Sequence, residues 1–186
     1  MNTFKKLSII LVFSTFSLLL SANNELLYFW SGAITAHSAK VNVVLAYPSN
    51  NVRVAMDKSL DFAHPLYSDY GSVTTEHGNA GGFVVEGLEP GTVYYYLVEI
   101  NGIMENTNAK RGMLQTFEEG AFSYSFLLGA CNFFPNNPVY DRMRSMPAWF
   151  YMNIGDLHYG NPNSKDVKMH REEYETRVLS RERETK

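Results

Sequence analysis

The chain has 186 residues, a length that suits one or two domains with a sizeable core. Apolar residues make up 45% and charged residues 19%, a balance that excludes an intrinsically disordered chain. The formal net charge of −3 leaves no basic footprint for nucleic acid or for an anionic membrane surface.

Residues 1–22 read as a secretory signal peptide. Lys5 and Lys6 form a positive start, residues 7–20 an apolar stretch, and Ser21 and Ala22 a small-residue cleavage point. The alternative is a membrane anchor, for which the apolar run is short. The expectation is export to a periplasmic, cell-surface or extracellular location, with no stable membrane anchor after cleavage. An exported chain whose one cysteine is Cys131 has no internal disulfide framework.

Short strand-like runs follow at residues 26–33, 39–47, 52–56 and 82–85, with turn signals between them. Residues 93–100 are rich in valine and tyrosine and read as a strong strand. Asn101-Gly102 then predicts a two-residue hairpin loop, with returning strands at 103–105 and 112–117. This pattern predicts a small antiparallel sandwich over residues 23–117. Leu88-Glu89-Pro90-Gly91-Thr92-Val93-Tyr94 has the L-x-P-G-T-x-Y shape found in fibronectin type III-like domains. The resemblance implies that Tyr94 is buried, with its hydroxyl bonded to backbone near Leu88 or Glu89.

Residues 118–120 read as a linker, after which the pattern changes to strand–helix–strand. Two apolar runs, 124–128 and 149–154, end in Gly129-Ala130-Cys131 and Gly155-Asp156. The helix between them is expected to take Asn137 as cap and Pro138 as first residue, and to end at Pro147. Residues 166–186 predict an amphipathic helix with Val167, Tyr174 and Val178 on one face and a Glu173–Arg177 pair. If the two strands are parallel neighbours, Cys131 and Asp156 leave the same sheet edge, where open α/β sheets bind ligands. The glycine at each exit is expected to make the sharp turn. Strand spacing then brings the Cys131 sulfur within roughly 4–6 Å of the Asp156 carboxylate. Tyr159 can curl back to the same point. Thiolate, carboxylate and tyrosinate together favour a trivalent or soft ion.

These stretches resemble the PhoD-like, or alkaline phosphatase D, metallophosphoesterases. Trp30-Ser31-Gly32-Ala33-Ile34-Thr35 is similar to the family's opening W-S-G motif, and residues 87–96 to its fibronectin-like domain. Residues 126–132 and 155–159 resemble its G-[small]-C and G-D-x-x-Y metal motifs. The resemblance runs in order over residues 27–180. It implies a β-sandwich followed by the start of an α/β metallophosphoesterase domain. It also implies that Cys131, Asp156 and Tyr159 are ligands, with Asp156 bridging ferric iron to calcium, and that the substrate is a phosphate ester. Asn132 and His158 flank those ligands and are candidates for supporting groups.

The family's later aspartate-, asparagine- and histidine-bearing motifs are absent from these residues. Residues 118–186 are therefore expected to be the first part of a catalytic domain, with an incomplete centre and apolar sheet surface left exposed. Purple acid phosphatases share the domain order and the G-D-x-x-Y motif but place aspartate where this chain has Cys131. A non-catalytic exported fibronectin-like binding module is the other reading, which metal content separates from the first two.

Overall fold

The computed structural model describes residues 24–131, 138–156, 159–160 and 162–179. The expected signal peptide lies outside the described residues.

Nine strands come first: β1 (Leu26–Gly32), β2 (Ser38–Leu45), β3 (Ser49–Asp57), β4 (Leu66–Tyr67), β5 (Gly71–Val73), β6 (Ala80–Glu86), β7 (Val93–Ile100), β8 (Ile103–Met104) and β9 (Gly112–Gln115). They form two antiparallel sheets. One has the order β1-β2-β6; the other runs β4-β3-β7-β8, with β5 also on β3 and β9 also on β7. Period-two burial explains why they face each other. Ala39, Val41, Val43 and Leu45 of β2, Val52, Val54 and Met56 of β3, and Tyr94, Tyr96, Val98 and Ile100 of β7 all enter one core. The fold is thus mostly antiparallel β and sandwich-like.

Local chemistry sets the corners. Asn101 and Gly102 both take positive φ (52° and 80°) between the paired Ile100 and Ile103, as a tight hairpin loop requires. Gly112 lies opposite Tyr96, and a Cβ there would come within 2.0 Å of the tyrosine ring, so only glycine lets that ring lie flat. Tyr94 is 2% exposed, and its hydroxyl accepts the Glu89 N–H at 3.0 Å, as the motif predicts. The buried Thr116 hydroxyl donates to the Glu89 carbonyl at 2.6 Å and accepts the Thr92 N–H at 2.9 Å, closing the same corner.

The outer face of the larger sheet carries one polar assembly. Arg53 and Glu99 are cross-strand partners, and the guanidinium forks onto the carboxylate at 3.0 and 2.9 Å. The same guanidinium lies over the Tyr67 ring at 3.8 Å and the Tyr70 ring at 4.4 Å. The Tyr70 hydroxyl donates to Glu99 at 2.7 Å. Burial pushes the Glu99 carboxyl up, but the Arg53 fork and the Tyr70 bond outweigh it and hold the carboxyl below its ordinary value.

After β9 come β10 (Leu127–Gly129), α1 (Val139–Arg144), β11 (Tyr151–Asn153) and α2 (Val167–Tyr174), the last continuing as a π-helical turn over Glu175–Leu179. β10 and β11 pair in parallel, Leu127 with Tyr151 and Gly129 with Asn153. Both strands are shorter than their apolar runs; ahead of them the Trp149 N–H still donates to the Ser125 carbonyl and the Leu127 N–H to the Phe150 carbonyl, and the rings stack on one another. Phe117 stacks on Trp149 (centroids 5.5 Å apart, 10° between planes), and Phe126 on Phe150 (5.2 Å, 13°). The helix also differs from expectation. Pro138 occupies the cap position, Asn137 lies outside the described residues, and α1 stops at Arg144, before Pro147. Asp166 caps α2 by accepting the Lys168 N–H, and Glu173 pairs with Arg177. Of the expected stripe, Val167 is 59% exposed and Tyr174 half-buried. Phe126, Leu128, Tyr151, Met152 and Ile154 are also exposed, so the two-stranded sheet keeps apolar surface open.

Two outcomes follow. Tyr94→Phe leaves the Glu89 N–H without its acceptor and should lower stability by about 1 kcal/mol in urea denaturation; an unchanged midpoint contradicts the corner's role. Glu99 has a depressed folded pKa, so its contribution is complete above its ordinary value of 4.5 and is lost as pH falls through the lower folded value. Glu99→Gln should flatten that acid limb of a stability–pH curve, and an identical limb in the variant contradicts the assignment.

Candidate metal centre

The cluster begins with backbone. At the ends of β10 and β11 the Ile154 N–H donates to the Gly129 carbonyl at 2.9 Å, and the Cys131 N–H to the Gly155 carbonyl at 3.2 Å. The two exit loops are therefore laced together. The sequence places glycines at both exits, but the left-handed turns are made by the neighbouring functional residues: Cys131 has φ 59° and Asp156 φ 48°. Aspartate tolerates that region; for cysteine it is uncommon. Gly129 serves a different need. A Cβ there would come within 2.7 Å of the Tyr151 hydroxyl.

Those turns bring three side chains to one atom. Asp156 Oδ2 accepts the Cys131 thiol at 3.6 Å and the Tyr159 hydroxyl at 3.1 Å. The sulfur–carboxylate separation is shorter than the sequence-based range. All three residues are exposed, Tyr159 at 37%. The hydrogen bond with Cys131, partial burial and the bond to the Asp156 carboxylate push the Tyr159 phenol above its ordinary range. Asn132 and His158 lie outside the described residues.

Sequence reasoning missed Asn153. Its Oδ1 accepts the Gly155 N–H at 3.0 Å, and its amide donates to the Tyr151 hydroxyl at 3.3 Å, bracing the turn that presents Asp156. The available signal was an asparagine two residues before a glycine, the pattern of an Asx-turn.

A thiol, a carboxylate and a phenol, each an anion when deprotonated, converge on one point, a donor set compatible with a trivalent or soft ion. Calcium fits less directly, since it takes six to eight oxygens and the carboxylate of Asp156 is the hard donor here. Among the described residues, no three or more His, Cys, Asp or Glu side chains gather into a cluster. Also among them, no helix is long and apolar enough to cross a membrane.

No family model matches the chain, and no curated protein matches it. A solved structure of PhoD is similar in fold, with TM-score 0.60 and 19% identity over 72% of this chain and 28% of that one. The chain thus spans little more than a quarter of the PhoD chain's length. Two weaker likenesses are the sensor domain of the anti-sigma factor RsgI4 of Pseudobacteroides cellulosolvens and a fibronectin type III domain derived from human KIAA0970 protein. The first has TM-score 0.40 and 15% identity over 53% of this chain and 81% of that one. The second has TM-score 0.37 and 15% identity over 53% and 77%. At these identities the likeness to PhoD concerns fold.

The strained turn gives a test of the local geometry. Cys131→Gly removes a Cβ from a left-handed position and should stabilise the laced loops by about 1 kcal/mol. Hydrogen exchange at the Ile154 amide should then slow by roughly five- to tenfold. Unchanged or faster exchange contradicts the strain at Cys131.

Proposed function

We propose that this chain contains the fibronectin-like sandwich and the first metal-binding strands of a PhoD-like metallophosphoesterase, acting on phosphate mono- or diesters in an exported setting. In this reading residues 118–186 begin an α/β catalytic domain. Cys131, Asp156 and Tyr159 would hold ferric iron, the Asp156 carboxylate would also be the hard donor for calcium, and further ligands would come from outside the described residues. The observation that carries the reading is the convergence of thiol and phenol on one carboxylate oxygen, built on two left-handed turns at the same end of a parallel strand pair. Backbone strain of this kind costs about 1–3 kcal/mol per residue and clusters at functional sites. The fold likeness to PhoD supports the reading from a separate direction.

Each residue has a distinct task. Cys131 gives up its thiol proton and presents sulfur from the β10 exit. Tyr159 does the same with its phenol, from three residues beyond Asp156. Asp156 keeps its carboxylate between them, and Asn153 holds the backbone turn that aims it. When bound, the metal pair would polarise the phosphoryl oxygens and stabilise charge in the transition state.

A second reading is a non-catalytic exported sandwich module. It is favoured by the location of the core, which is built from the sandwich strands and their adjoining turns, while the three candidate ligands are exposed. Iron separates the two. Titrating the full chain with ferric nitrilotriacetate should produce a visible charge-transfer band and retained iron, weak because three donors leave a shell incomplete. Tyr159→Phe and Cys131→Ser should each shift or abolish the band without changing the sandwich's thermal unfolding. No band and no retained iron in the wild-type chain would favour the module. Equal iron in all three proteins would remove these residues from the ligand set.

A further inference from the structure

The chain leaves the sandwich through residues 117–122 and doubles back as it does so. The Phe117 backbone is bonded to Thr35 and Gly91, the Phe117 and Phe122 rings meet at 5.7 Å, and Phe122 stacks on Trp149 at 5.7 Å. Gly120 makes the turn with φ 79°. Among the described residues, no main-chain hydrogen bond holds residues 118–121. The hydrogen bond that ties this turn to the sandwich comes from a side chain, the Glu119 carboxylate, which meets the His37 ring at 2.7 Å.

His37 presents that ring from a fixed backbone. Its N–H donates to Thr35 Oγ1 at 3.1 Å and its carbonyl accepts the Leu88 N–H at 3.0 Å. The ring spans two acceptors, with Nδ1 3.1 Å from the Leu88 carbonyl and Nε2 2.7 Å from the Glu119 carboxylate. A neutral imidazole carries one N–H and serves one of them; the imidazolium carries two and serves both. The other ionisable groups on the surrounding elements are engaged elsewhere. Glu89 of the corner pairs with Lys58 at 2.8 Å, the Glu118 carboxylate lies against Gly91, and Glu86 stands across the β2–β6 ladder from Ser38. The Glu119 bond, and after it the Leu88 carbonyl, raise His37 above its ordinary value of 6.5.

We propose that His37 and Glu119 form a pH-sensitive tie across this junction: the imidazolium holds the 118–121 turn against the sandwich and keeps Phe122 in the aromatic stack, and loss of its proton loosens the turn. A neutral ring must release one of its two acceptors, and it also loses the charge attraction to Glu119. The sign follows from the direction of the shift. A raised folded value means that the tie is complete below 6.5 and is lost as pH rises through the folded value. Both side chains are more than half exposed, so the pair shifts a local population a few-fold and leaves global stability nearly unchanged. A few-fold shift suffices here, because the turn has no main-chain bonds to oppose it. The tie uses no residue of the Cys131 cluster, so it stands apart from the metal reading.

The test is nuclear magnetic resonance of the isotope-labelled full chain at about pH 5.5 and about pH 8.5, either side of the histidine range. The His37 ring should titrate above 6.5. Between the two conditions the Cα–Hα order parameters of residues 118–121 should fall by roughly 0.1–0.2 and the Phe122–Trp149 ring NOEs should weaken, while the sandwich strands stay rigid. Glu119→Gln keeps an acceptor and removes the charge. It should lower the His37 midpoint, leave the other histidines in place and abolish the pH step in the turn. His37→Gln should give a turn that is the same under both conditions. Both sites are exposed, and an unchanged melting temperature in each variant guards against a folding artefact. The proposal is overturned if His37 titrates at or below 6.5, if the wild-type order parameters and ring NOEs are equal under the two conditions, or if Glu119→Gln keeps the full step.

Discussion

Phe117 is the residue on which the two parts of this chain depend. Its N–H donates to the Thr35 carbonyl and its own carbonyl accepts the Gly91 N–H, so its backbone belongs to the sandwich. Its ring belongs to the other part, stacked on Trp149 and in contact with Phe122, Tyr124 and Phe150. The sandwich buries its own core. The two-stranded parallel sheet does not, and a sheet of that size is marginal without something to pack against. The aromatic stack supplies that support. It fixes where β11 starts, and hence where Asp156 arrives seven residues after Trp149.

Much of the sandwich was legible because its strands are long enough to show their period. β7 spans the predicted 93–100, and the Asn101-Gly102 loop announces its own geometry. β4 and β5 were not legible: two or three residues cannot display alternation, and they are held by pairing to β3 rather than by propensity. Beyond the linker the element order and the parallel pairing were readable, but the lengths were not. Apolar rings at 124–126 and 149–150 carry the same hydrophobic signal as the regular ladder residues that follow them.

The cluster was readable as residue types at two strand exits. The source of its shape was not. Glycine is the usual marker of a positive φ, and here the marker sits one residue before Asp156 and two before Cys131, while the donors themselves take the left-handed conformation. No propensity points to cysteine in that role. Asn153 was hidden for a different reason: a side chain that braces a turn leaves little trace in composition. The Arg53–Glu99–Tyr70 assembly was equally silent, since its members lie far apart in sequence and meet only through strand register.

The lacing of the exit loops has a mechanical consequence. With the Cys131 N–H on the Gly155 carbonyl and the Ile154 N–H on the Gly129 carbonyl, the sulfur and the carboxylate are mounted on a single stiff frame. Moving the two exits apart means breaking main-chain bonds, while the exposed side chains keep their own rotations. The frame thus limits how far apart the two groups can be carried, and leaves their exact separation to the rotamers.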